Sequence, residues 1–165
     1  MPYVGGTLAP LFAVEPVEVT MVRLADRGGE RMVELTKENT PVDTRQLRNS
    51  WYQRRLRRVR RGRLTGWESG VATDEDYAPH VEHGTGLWGP EHRRYLILPK
   101  RPGGSLRWRD PRTGRVIFAR AVMHPGSPGQ HMVQIAAGAL EIEASDGLLF
   151  DPILREWVRA QEALV

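Results

Sequence analysis

Between residues 44 and 63 the chain places nine arginines, Arg45, Arg48, Arg54, Arg55, Arg57, Arg58, Arg60, Arg61 and Arg63, with no acidic residue among them. A guanidinium grips phosphate oxygens through a planar fork, and neutralising several phosphates releases condensed counterions, so a segment of this charge can hold DNA without reading its sequence. Arginines on a strand also bridge to acidic faces of neighbouring subunits, or simply guard a solvated edge against aggregation. DNA contact, subunit contact and plain solvation are all open for Arg54, Arg55, Arg57, Arg58, Arg60, Arg61 and Arg63. The second candidate is His80-Val-Glu-His83, with His92, His124 and His131 further along. Zinc takes such ligands. No helical His-Glu-x-x-His spacing is present, however, and Pro79 and Gly84 flank the group, so it reads as a turn whose histidines pack and hydrogen-bond.

Other chemistry has less support. Gly84-Thr-Gly86 lacks the lysine and spacing of a phosphate-binding loop, and no Gly-x-Ser-x-Gly elbow occurs. Asp74-Glu-Asp76 and the pair Glu141 and Glu143 read as solvated or helix-capping carboxylates. The absence of cysteine removes disulfides, thiolate metal sites and a cysteine nucleophile. No catalytic residue, cofactor or metal is expected, and the chain reads as a non-enzyme.

The elements that must carry these residues follow from periodicity and punctuation. With 40% hydrophobic and 27% charged residues the chain is typical of a folded globular protein. Its net charge of +4 conceals a +9 segment set in a −5 remainder. Residues 1–15 read as an arm. From Pro16, the spacing of Met21, Leu24, Ala25, Met32 and Leu35 predicts an amphipathic helix over 16–38, weakened at Gly28-Gly29 and stopped by Asn39 and Pro41. Residues 47–61 fit helix or strand. A strand from about Ser50 is preferred, because Gly62 and a second stretch from Leu64 to Ala72 make a hairpin. Tyr95–Leu98 and Val116–Val122 read as strands, and Leu106–Arg109 pairs with the start of the latter across the turn Asp110-Pro-Arg-Thr-Gly114. A helix from Gln130 ends before Ser145, and Asp151-Pro152 starts a last helix with Ile153, Leu154, Trp157 and Val158 on one face. The expected fold is α+β: a long N-terminal helix, a mainly antiparallel sheet of about four strands and C-terminal helices. The expected organisation is an arm, one domain over 16–145 and a helical extension over 146–165. No signal peptide and no membrane span is expected, since no stretch approaches roughly 20 apolar residues.

Three segments in order carry a resemblance. They are Thr40-Pro-Val-Asp-Thr-Arg-Gln-Leu-Arg-Asn-Ser50, Tyr77-Ala-Pro-His-Val-Glu-His-Gly-Thr85 and His124-Pro-Gly-Ser-Pro-Gly-Gln-His-Met132. Together, over about residues 16 to 145, the chain resembles the neck, tail-completion and tail-component proteins of long-tailed bacteriophages. The positions that match are Pro41, Asp43, Thr44, Leu47, Tyr77, Val81, Glu82, Gly84, Thr85, His124, Pro125 and Gly126. One departs: Arg45 stands where the family usually has glycine, and it is strained if that position needs positive φ. The side chains agree with structural roles, Asp43 and Thr44 as turn caps, Leu47 as an anchor, and Glu82 as an acceptor in a pinned turn.

The resemblance implies a structural subunit of the virion head-tail junction, assembled in the host bacterial cytoplasm. Its implied partners are copies of itself in a ring expected to be six-fold, other connector and tail proteins, and double-stranded DNA held without sequence preference. The alternatives are a nucleic-acid-binding accessory protein that uses the arginine run, and a small metal-dependent hydrolase built on the histidines.

Overall fold

The computed structural model describes residues 17–62 and 64–162; the expected arm at 1–15, Arg63 and the side chains of Arg61 and Leu64 lie outside the described residues. The elements are α1 (Val17–Asn39), α2 (Gln46–Ser50), β1 (Tyr52–Arg61), β2 (Leu64–Ala72), α3 (Ala78–His83), β3 (Tyr95–Ile97), β4 (Leu106–Arg109), β5 (Val116–Ala119), β6 (Val122–His124), α4 (Met132–Ser145) and α5 (Asp151–Glu162). The class is α+β, with the long first helix and the two C-terminal helices that periodicity predicts. The chain divides into two compact units, one running to Glu75 and resuming at Met132, the other Asp76–His131. No helix among the described residues is long and apolar enough to cross a membrane.

In the first unit, α1 packs against both strands of the β1–β2 hairpin and against α4 and α5. The glycine pair that weakens α1 by propensity has a packing reason. A Cβ on buried Gly29 would collide with the side chains of Ser69 and Gln53, so only glycine lets the hairpin approach this closely. Gln53 fastens the contact by donating to the Asp26 carboxylate at 2.9 Å and to Ser69 Oγ at 3.0 Å. On the α4 side, Arg31 reaches both oxygens of Glu143 at 2.8 Å. This fork holds the Glu143 carboxyl below the usual range and the Arg31 guanidinium above its own.

The end of α1 is built from hydroxyls. Buried Thr36 donates to the Met32 carbonyl at 2.7 Å, and buried Thr40 donates to the Thr36 carbonyl at 2.6 Å. Thr40 Oγ1 also accepts the indole N–H of buried Trp51 at 2.9 Å, while Arg48 donates to the Thr40 carbonyl at 3.1 Å. Pro41 then ends the helix, and buried Leu47 anchors α2. Residues 47–61 thus resolve into both alternatives: a helical turn to Ser50, then a strand from Tyr52.

Strand organisation departs from expectation. Among the described residues six strands form three separate two-stranded antiparallel ribbons, β1–β2, β3–β6 and β4–β5, where one sheet of about four strands was expected. The run 116–122 is divided because its halves have different partners. Val116–Ala119 folds back on Leu106–Arg109 across the Asp110 turn, whereas Val122–His124 pairs with Tyr95–Ile97. Local apolar content marked the strands and carried no information on pairing.

Candidate interaction surfaces

The arginine run lies on β1 and does not form a single row. A register shift between Arg54 and Arg57 breaks the alternation, after which Arg57 stands opposite Glu68, Arg58 opposite Trp67 and Arg60 opposite Thr65. Arg57 pairs with Glu68 at 2.7 Å on one side of the ribbon; Arg58 reaches Glu18 of α1 at 3.6 Å, which places it on the other. All of these partners are substantially exposed, so each pair contributes at most about 1 kcal/mol. Arg60 donates to the Gly62 carbonyl at 3.1 Å, inside the hairpin turn. Gly62 takes φ 62, the left-handed geometry that the turn requires. Arg54 and Arg55 are exposed and have no carboxylate partner among the described residues. Arg61 closes the strand opposite Leu64. The ribbon is therefore a cationic surface with enough free guanidinium to hold a polyanion or an acidic protein face.

The histidines lie in the second unit, on a helical turn where a plain turn was expected. Pro79 sits at the start of α3, where its missing N–H costs nothing, and Gly84 ends it at φ 80. His80 and His83 are exposed and line a cavity of about 600 Å³ with Glu91, Arg93 and Tyr95. Among the described residues no group of three or more histidine or carboxylate side chains is placed to hold a metal ion.

The second and third motifs form one clamp. The Thr85 and Leu87 amides donate to the Ser127 and Pro125 carbonyls at 2.8 and 2.7 Å, and the Ser127 amide donates to Thr85 Oγ1 at 3.0 Å. The Gln130 and His131 amides donate to the carbonyls of Val81 and Glu82 at 2.8 and 3.1 Å. The Gly126 amide donates to His124 Nδ1 at 2.9 Å, and the His124 ring lies 5.4 Å from that of Tyr95. Glycine is required at the crossing. At φ 95 a Cβ on Gly126 would strike the Thr85 carbonyl, and one on Gly84 would meet the Ser127 carbonyl at 2.7 Å. Glu82 is buried here, while Tyr77 stays exposed at the start of α3.

The first motif is mixed. Thr44 Oγ1 accepts the Gln46 amide at 3.4 Å, and Arg45 adopts φ 63, the left-handed geometry that favours glycine. Pro41 and Asp43 are exposed, and the Asp43 carboxylate makes no described cap. The motif's structural weight rests on Thr40, Arg48 and Trp51, which residue-type reasoning passed over. A hydroxyl one turn beyond another at a helix end, with a tryptophan just downstream, was the available signal.

Residues 13–84 match the family described as Bacteriophage HK97-gp10, putative tail-component. That stretch is similar to phage tail components. The match covers the first motif, the arginine ribbon and the second motif as far as Gly84, and leaves the third motif and the C-terminal helices outside it. No curated protein and no solved structure matches the chain.

Proposed function

We propose that this protein is a structural subunit of the phage neck, joining the head connector to the tail as a ring around or beside the DNA passage. The match to a tail-component family over residues 13–84 supports a structural, tail-related role. The observation that carries the finer reading is the β1 ribbon, whose exposed Arg54 and Arg55 meet no carboxylate among the described residues. In a ring such a surface meets the acidic face of a neighbour, or phosphate in the passage, and orients the parts as they join.

The deciding experiment complements a phage lacking this gene with a variant in which Arg54, Arg55, Arg57 and Arg60 are glutamine. Filled heads and finished tails accumulating separately in electron micrographs is the expected result. Normal yields of infectious particles would make the ribbon a solvated face. Arg54 and Arg55, which meet no carboxylate among the described residues, also favour a second reading, a nucleic-acid-binding accessory protein. A salt series of DNA binding tests it, since log affinity should fall with a slope of about −0.9 per phosphate contacted.

A further inference from the structure

Helix α4 carries apolar residues on two neighbouring sides. One side packs on α1, with Met132 and Ala136 fully buried and Glu143 held by Arg31. The other carries Ile135, Gly138 and Ile142, whose spacing of three and four residues aligns them on one face. Ile135 and Ile142 are 51% and 64% exposed, and a Cβ on Gly138 would meet nothing within 4 Å. Two large aliphatic side chains this exposed on one helix face have no cover among the described residues. Its charge has one sign. Residues 132–146 contain Glu141, Glu143 and Asp146 and no lysine or arginine.

The β4–β5 ribbon is the converse. Its register sets Arg107 opposite Phe118 and Arg109 opposite Val116, so these four share one face. Phe118 is 64% exposed and Val116 38%. Residues 106–120 hold five arginines and a single acid, Asp110, which is occupied within its own turn by the Arg112 amide and the Thr113 hydroxyl. Among the described residues no carboxylate engages Arg107 or Arg109.

The geometry points to this ribbon of one copy docking on the bare α4 face of the next copy, with Phe118 and Val116 against Ile135, Gly138 and Ile142, and Arg107 and Arg109 toward Glu141 and Asp146. Both surfaces pair apolar area with charge of opposite sign, which is the complementarity that selects a partner. Like charge disfavours either surface pairing with itself, since two α4 faces would oppose acids and two ribbons would oppose arginines. Gly138 leaves room for the Phe118 ring. Because the two surfaces differ, the contact can run head to tail from copy to copy, as closing a ring requires. The docking rests on the ring reading above and supplies it with a second interface, separate from the arginines of β1.

The chain has no cysteine, which makes crosslinking specific. Arg109→Cys and Glu141→Cys are introduced together and singly, and each protein is treated with a short bismaleimide, both concentrated in solution and in purified particles. The double variant should give a ladder of covalent oligomers, and the single variants none. Separately, Arg107→Glu with Arg109→Glu should abolish association in sedimentation, and adding Glu141→Arg with Asp146→Arg should restore it. Crosslinks confined to one chain, or dimers from the single variants, would overturn the docking. So would oligomers that form undisturbed by the charge reversal, although the ring reading would then survive. A wild-type chain that stays monomeric in solution, together with no ladder from the double variant in particles, would remove both.

Discussion

Arg45 at φ 63 occupies a backbone region that a β-carbon disfavours by about 1 kcal/mol, and no described hydrogen bond of its side chain offsets that cost. Arg45→Gly should therefore raise the melting temperature, by about 2–4 °C for a chain of this length, measured by circular dichroism. An unchanged or lower value would mean that the arginine contributes something glycine cannot. Thr40 presents the opposite case. Its hydroxyl serves Trp51 and the Thr36 carbonyl at once, so Thr40→Val should leave the buried indole N–H without an acceptor and cost about 1–3 kcal/mol in denaturant unfolding. Thr40→Ser, which retains the hydroxyl, should recover most of the loss. If the serine and valine variants are equally destabilised, the methyl group rather than the hydrogen bonds matters.

The clamp between residues 81–87 and 124–131 is held mainly by backbone-to-backbone hydrogen bonds, so its weak points are the glycines at the crossing. Gly126→Ala places a methyl group on the Thr85 carbonyl and should cost about 3 kcal/mol, seen as a lowered urea midpoint. Gly138→Ala faces open space and should be neutral or slightly stabilising in the isolated protein, which makes it the control. The β1 ribbon should respond differently. With Arg54, Arg55, Arg57 and Arg60 changed to glutamine, the isolated protein should melt at the same temperature or slightly higher. The repulsion among neighbouring like charges is relieved, and the one ion pair lost is exposed. A fall of more than about 1 kcal/mol would show that the run stabilises the fold as well as the assembly.

Across the whole molecule, the fork between Arg31 and Glu143 joins the helix before the ribbons to the helix after them, 112 residues apart in sequence. The hydrogen bond from Arg31 depresses the Glu143 carboxyl, so its contribution is fully present above the ordinary glutamate value and is lost as pH falls through that range toward the lowered folded value. Glu143→Gln should lower the melting temperature at neutral pH and flatten the decline on the acid side. A variant whose acid-side decline is as steep as that of the wild type would assign the pH sensitivity to other carboxylates. Asp110, lowered by the Thr113 hydroxyl and the Arg112 amide, is the next candidate.

The sequence by itself determined the local elements. Apolar spacing located α1, α4 and α5, Gly62 located the hairpin turn, and the departure at Arg45 marked a left-handed position, because each of these depends only on residues close in the chain. It also supplied the likeness to phage tail components, carried by side chains in fixed local order. Tertiary structure decided what pairs with what: which ribbon each short strand joins, that Gly29 admits the hairpin, that the second and third motifs are one clamp, and that the arginines of β1 divide between two sides. It also exposed the second basic surface on β4–β5 and the uncovered face of α4. Pairing and exposure depend on contacts between segments tens of residues apart, whose energies are absent from any local window.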